Sequence, residues 1–137
     1  MNEVIERNRY MVLATADADG TPWASPVWFA TDDGRVFYWI SDPDARHSGN
    51  IAARPEIAIV IFDSTVTPGE AQAVYMQARA EQCGTDGFDV FARESQAQGL
   101  WITRPEDVVA PAKHRLYRAV AGEQTMLGPG DERIPLA

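Results

Sequence analysis

Four side chains able to hold an anion fall in the first eight residues of one short stretch, SDPDARHSGNIAARP at residues 41–55: Ser41, Arg46, His47 and Ser48. A guanidinium grips a phosphate with two parallel N–H bonds. Serine hydroxyls and an imidazole N–H each add a hydrogen bond. The stretch also reads as a helix start, where backbone N–H groups lack intrahelical partners and the helix dipole is positive. Together these suit a phosphate monoester. A capped surface helix, with Arg46 paired to Asp42 or Asp44, is the competing account, and the stretch alone slightly favours it.

A second group of residues suits a flat heteroaromatic ligand. ASPVWFA and VFYWIS place Trp28, Phe29, Phe37, Tyr38 and Trp39 on neighbouring strands, an apolar wall near backbone donors and acceptors. Pro26 has no N–H and fits an edge strand or a strand start. Position by position, plain core packing is the simpler account of these aromatics. His114 has no carboxylate orienter in sequence and reads as a surface histidine. Cys83 has no basic neighbour to lower its pKa and reads as a small apolar residue. No Ser-His-Asp spacing, paired-His metal motif or P-loop is present, so no metal site is expected.

Composition narrows the classes. The chain has 137 residues, enough for one domain, 1–137, with its own core. Its net charge is −8, and Lys113 is the only lysine, which argues against a nucleic-acid face. The single cysteine rules out an internal disulfide. No apolar run is long enough to span a bilayer. The start, MNEVIERNRY, has no signal-peptide pattern. A cytoplasmic protein, with no membrane or nucleic-acid partner, is the expectation.

The elements that must position these residues follow from pattern. A short helix is predicted over Glu3–Arg7. Strands are predicted over Tyr10–Ala16, Trp23–Ala30 and Val36–Ser41, joined as hairpins through DADG and TDDG, where Asp-Gly supplies positive φ. A helix over Arg46–Ala53 must stop before Pro55. EIAIVIFDS, apolar at nearly every position, reads as a largely buried strand. AVYMQARAEQC reads as a fifth strand. TDGFDVFARESQAQG reads as a helix capped by Thr85 or Asp86 and followed by Gly99. A helical turn is expected at Pro105–Val108, then a sixth strand, HRLYRAVAGEQTML, and a polar tail. The predicted fold is mainly β, a six-stranded antiparallel barrel or curled sheet with short helices. A barrel of this size is filled by side chains, so a ligand must sit outside it.

The stretches YMVLATADADGTPWASPVWFA, VFYWIS, ARHSGNIAARPEIAIVIFD and VYMQARAE, in this order and spacing over roughly residues 8 to 82, resemble the pyridoxamine 5'-phosphate oxidase superfamily of FMN-binding split barrels. The resemblance implies a homodimer with cofactor grooves at the interface. By position it implies that Ser41, Arg46 and His47 hold the flavin phosphate. Ser25, Pro26, Val27 and Trp28 would line the isoalloxazine from the second strand, and Trp39 and Ile40 would border it from the third. Gln72 or Ala73 falls near the position where a glutamine approaches the ring. Apart from the resemblance, LWITRP is apolar, irregular and hard to place in the core, which makes Trp101 a candidate to roof the ring from the partner subunit. The implied activity is a flavin-dependent oxidoreductase that moves a hydride to or from a small organic substrate. A deazaflavin-dependent reductase and a non-catalytic flavin-binding module are the alternatives. His47 stands where a lysine is common, which implies a weaker or pH-dependent hold on phosphate. Ser25 stands where the oxidases place an arginine. The tail GDERIPLA lacks their substrate-phosphate segment, so pyridoxine phosphate is not the expected substrate.

Overall fold

The computed structural model describes residues 1–100, 102 and 104–136. Seven strands form one antiparallel sheet: β1 (Tyr10–Ala16), β2 (Pro22–Trp28), β3 (Val36–Ser41), β4 (Glu56–Phe62), β5 (Ala73–Gln82), β6 (Arg115–Leu127) and β7 (Arg133–Pro135). Their order is β2-β1-β4-β5-β6-β3, with β7 paired to β6. The sheet curls around one main core but does not close. This is a split-barrel arrangement with one strand more than the six expected. The extra strand arises because the polar tail turns back at Gly128–Asp131 and pairs Ile134 with Met126.

The barrel is split because β2 and β3 do not form the expected hairpin. β3 pairs along its length with β6, from Val36↔Val120 to Ser41↔Arg115. A single bridge, Ala30↔Tyr38, joins it to the chain leaving β2. The TDDG turn is wide. Thr31 Oγ1 donates to the Val36 carbonyl, and Asp33 accepts from the N–H groups of Arg35 and Val36 at 2.8 and 2.9 Å. That geometry lets β3 swing away, leaving two open strand edges.

Inside, Met11, Leu13, Val27, Phe29, Phe37, Trp39, Ile59, Ile61, Val74 and Met76 fill the barrel. Helix α1 (Glu3–Arg7) adds Val4 and Ile5 to this core and is capped by the Asn2 side chain. The fourth strand is half-buried rather than largely buried. Ile57, Ile59 and Ile61 point in, while Glu56, Ala58 and Phe62 are exposed. Its apolar run therefore marks an apolar outer face, which a hydropathy pattern cannot separate from a second core.

A smaller core forms where α3 (Phe88–Ala97) packs Phe88, Phe91 and Ala92 against Ala30 and Leu116, with Trp28, Tyr38 and Ile40 beside them. The cap of α3 is Gly87, at φ 79, and not Thr85 or Asp86. The Tyr38 ring lies so close that a Cβ at Gly87 would sit 2.1 Å from it. The helical turn at Pro105–Val108 is present as a 3-10 turn.

Candidate functional site

Helix α2 (Arg46–Ala53) forms over the predicted residues and ends before Pro55. Two buried contacts fix it. Ile51 enters the main core, and the Asn50 amide donates to Thr15 Oγ1 on β1 at 3.0 Å. At its other end the cap is Ala45, which offers no side-chain acceptor, and the first turn carries no acidic residue. The backbone donors of the first turn therefore meet no side-chain cap, and the positive end of the helix is not neutralised by its own residues.

The charged side chains there are ordered by contacts that the sequence did not reveal. The Arg46 guanidinium lies 4.4 Å over the Trp23 ring, held by the attraction of a cation for the ring face. Among the described residues Arg46 makes no ion pair with Asp42 or Asp44. The competing surface-helix account therefore loses its salt bridge, and the guanidinium is exposed. Ser41 Oγ and His47 Nε2 are 2.7 Å apart, with Ser41 buried and His47 half-buried. Burial pushes the His47 pKa below its ordinary 6.5. Ser48 turns away. Its hydroxyl donates to the Asp42 carbonyl at 2.8 Å and tightens the turn.

The open edges lie between β2 and β3. Phe29 donates to the Arg9 carbonyl, while Ala30 exchanges both backbone bonds with Tyr38. Alternation along an antiparallel strand then turns the backbone groups of Trp28 and Ala24, and the Pro26 carbonyl, toward the split. Pro26 thus sits on an edge strand, in the phase where its missing N–H costs no ladder bond. The Ile40 backbone faces the split in the same way from β3. Trp23 and Ser25 share the face of β2 that meets α2.

The remaining sequence-predicted residues lie elsewhere. Val27 and Trp39 point into the barrel; Trp39 is fully buried and stacks on Tyr117. The Trp28 side chain is packed edge-on to Phe91, and its Nε1 donates to Gln98 at 3.1 Å, so only its backbone faces the split. Ile40 likewise packs its side chain under α3. Gln72 accepts from Arg7, and Ala73 is buried at the start of β5. Trp101 lies outside the described residues. Cys83 is half-buried, and burial above all pushes its thiol up to about 11, which makes it a poor nucleophile at neutral pH. Among the described residues no group of three or more His, Cys, Asp or Glu could hold a metal ion, and no helix is long and apolar enough to cross a membrane.

A separate groove of about 960 Å³ lies over the outside of β1, β4, β5 and β6, floored by Ala14, Ala58, Gln77 and Gly122. Its edge carries Arg79, paired to Glu56 at 2.6 Å, and the exposed Val120. This groove offers an apolar surface, whereas the start of α2 carries Arg46 and His47.

An antiparallel barrel opened between two strands, with a cation-bearing helix start at the end of one of them, defines the split-barrel class. The sequence profile described as pyridoxamine 5'-phosphate oxidase matches residues 1–124, and the chain belongs to that family. A pyridoxine/pyridoxamine 5'-phosphate oxidase from Bordetella petrii is 31% identical over 121 residues, which cover 83% of this chain. The chain spans only 56% of that relative's length. Among solved structures, HutZ, the heme storage protein from Vibrio cholerae, superposes with a TM-score of 0.70 at 20% identity, covering 88% of this chain and 86% of its own. An F420 reductase superposes with a TM-score of 0.65 at 22% identity, covering 89% and 93%. These two likenesses are of fold.

Proposed function

We propose that this chain binds FMN with its phosphate at the start of α2, and that it works as a flavin-dependent oxidoreductase on a small organic substrate. One observation carries the reading. A permanent cation, Arg46, is held on Trp23 at an uncapped, acid-free helix start, beside the Ser41–His47 pair. Family membership supports flavin as the phosphate-bearing group.

The residues present fit that group. Arg46, His47 and Ser41 would hold the phosphate, while Ser48 keeps the turn closed. Pro26, Trp28 and Ile40 would meet the ring system with backbone groups, and Ser25 with its hydroxyl. Val27 and Trp39 anchor the two strands from inside. Bound flavin supplies the hydride chemistry, and the chain supplies binding, orientation and a shielded face. We place a homodimer in the same reading. Tyr10, Phe62 and Val120 are 62%, 47% and 49% exposed on the outer sheet face, an apolar surface that a second copy would cover.

The test is a titration of the dialysed protein with FMN, followed by fluorescence quenching, beside a deazaflavin and hemin. Saturation at one FMN per chain is expected. Reduction of the bound flavin by a nicotinamide donor then separates an oxidoreductase from a non-catalytic flavin carrier. Tighter binding of the deazaflavin or of hemin than of FMN would overturn the reading.

A further inference from the structure

We propose that Ser41 and His47 form a proton-operated latch on the anion cradle, so that an oxyanion binds with uptake of a proton by His47. The proposal rests on the anion site assigned above and adds its regulation.

The argument begins with the 2.7 Å contact between Ser41 Oγ and His47 Nε2. When Nε2 is bare, the hydroxyl must spend its only proton on the ring and shows an approaching anion only lone pairs. When the ring is protonated, Nε2–H donates to Oγ, and the hydroxyl proton is free to turn toward the anion. One proton therefore supplies both a positive charge and a hydroxyl donor. In the other neutral tautomer the hydroxyl is already free, and the charge alone is gained.

Among the described residues no carboxylate forms an ion pair with the His47 ring. The turn before α2 carries Asp42 and Asp44, and Asp42 accepts the Asp44 N–H at 2.9 Å within its own turn. Arg46 is the neighbour on α2, and Lys113, His114 and Arg115 stand at the start of β6, with Arg115 opposite Ser41. On β5, Arg79 and Glu81 are engaged with Glu56 and Arg118. β2 contributes no titratable group. Burial is the sole cause acting on the ring, and it favours the neutral form. Near neutral pH the ring of the anion-free site is thus mainly uncharged, and an incoming anion is the group that offsets its charge. A lysine at position 47 would bind at every pH; this histidine makes the grip conditional.

The experiment follows the two histidine ring signals by NMR between pH 5 and 8, with and without sulfate, His47 being assigned through His47→Gln. Sulfate keeps its charge across this range, whereas a phosphate monoester loses a proton near about pH 6. Expected is a rise of about one pH unit or more in the His47 midpoint with sulfate, equivalent to about tenfold tighter sulfate binding at low pH, and no movement of His114. His47→Lys is expected to bind sulfate with no such pH dependence. A His47 midpoint unmoved at any sulfate concentration overturns the latch, as does an undiminished pH dependence in His47→Lys. Failure of the flavin reading looks different: FMN does not bind, while sulfate still moves His47.

Discussion

At the scale of residues, the proposed phosphate site depends on the contact between Arg46 and Trp23. An exposed arginine usually spends its side-chain entropy in solvent. Stacking on Trp23 holds it in place beforehand, so less is lost when an anion arrives. Arg46→Ala is expected to weaken FMN binding by about 1.5–3 kcal/mol, the range for a hydrogen bond to a charged group. Trp23→Ala is expected to weaken it by about 0.5–1 kcal/mol through the lost stacking. In the Arg46→Ala background Trp23→Ala should add little, because the two act through one contact. FMN titrations of the three variants measure this. An unchanged dissociation constant in Arg46→Ala would remove the phosphate site. Arg46 was legible in sequence because cation and helix start are adjacent. Trp23 was not, since it lies on another strand and looks like any exposed aromatic.

At the scale of elements, the split depends on where β3 goes. Tyr38 is the residue that bridges back to Ala30 and also lies against Gly87, the cap of α3. Gly87 is needed twice over, for its positive φ and for the space its missing Cβ leaves. Gly87→Ala is expected to destabilise the fold by about 1–3 kcal/mol, as an overpacked and backbone-strained site does. Urea denaturation checks it; a change within about 0.5 kcal/mol would mean that α3 reseats without cost. Most element bounds were legible, because DADG, Asp42-Pro43 and Pro55 punctuate the chain locally. The absent β2–β3 hairpin was not legible. Asp-Gly permits a tight turn, but the partner of β3 is chosen by β6, far along the chain.

At the scale of the whole molecule, one prediction concerns assembly and one concerns pH. Val120→Arg, on the apolar outer face, is expected to give a monomer in sedimentation and to weaken FMN binding together with the dimer. A dimer that persists in this variant would move the interface to another face. For pH, the folded His47 ring gives up its proton more readily than the unfolded one. The unfolded chain then binds more protons below about pH 6.5, so stability falls as pH falls through that window. Melting temperatures at pH 7.5 and 5.5 are expected to drop less in His47→Gln than in the parent chain. Saturating sulfate should recover part of the parent's loss. An equal drop in both chains would show that other groups govern this window.

The sequence by itself determined six of the seven described strands, the helices α1, α2 and α3, the helix start that gathers cations, and the split-barrel family, because each is written in short-range order. Turn residues, alternation and motif spacing act over a few positions. Tertiary structure decided which of those residues face a common space. It turned Val27 and Trp39 inward, packed the side chains of Trp28 and Ile40 under α3, and brought Trp23 beneath Arg46. The physical reason is the two-fold alternation of a strand: one phase of β2 and β3 serves the cores, and only the register and the neighbouring helices settle which.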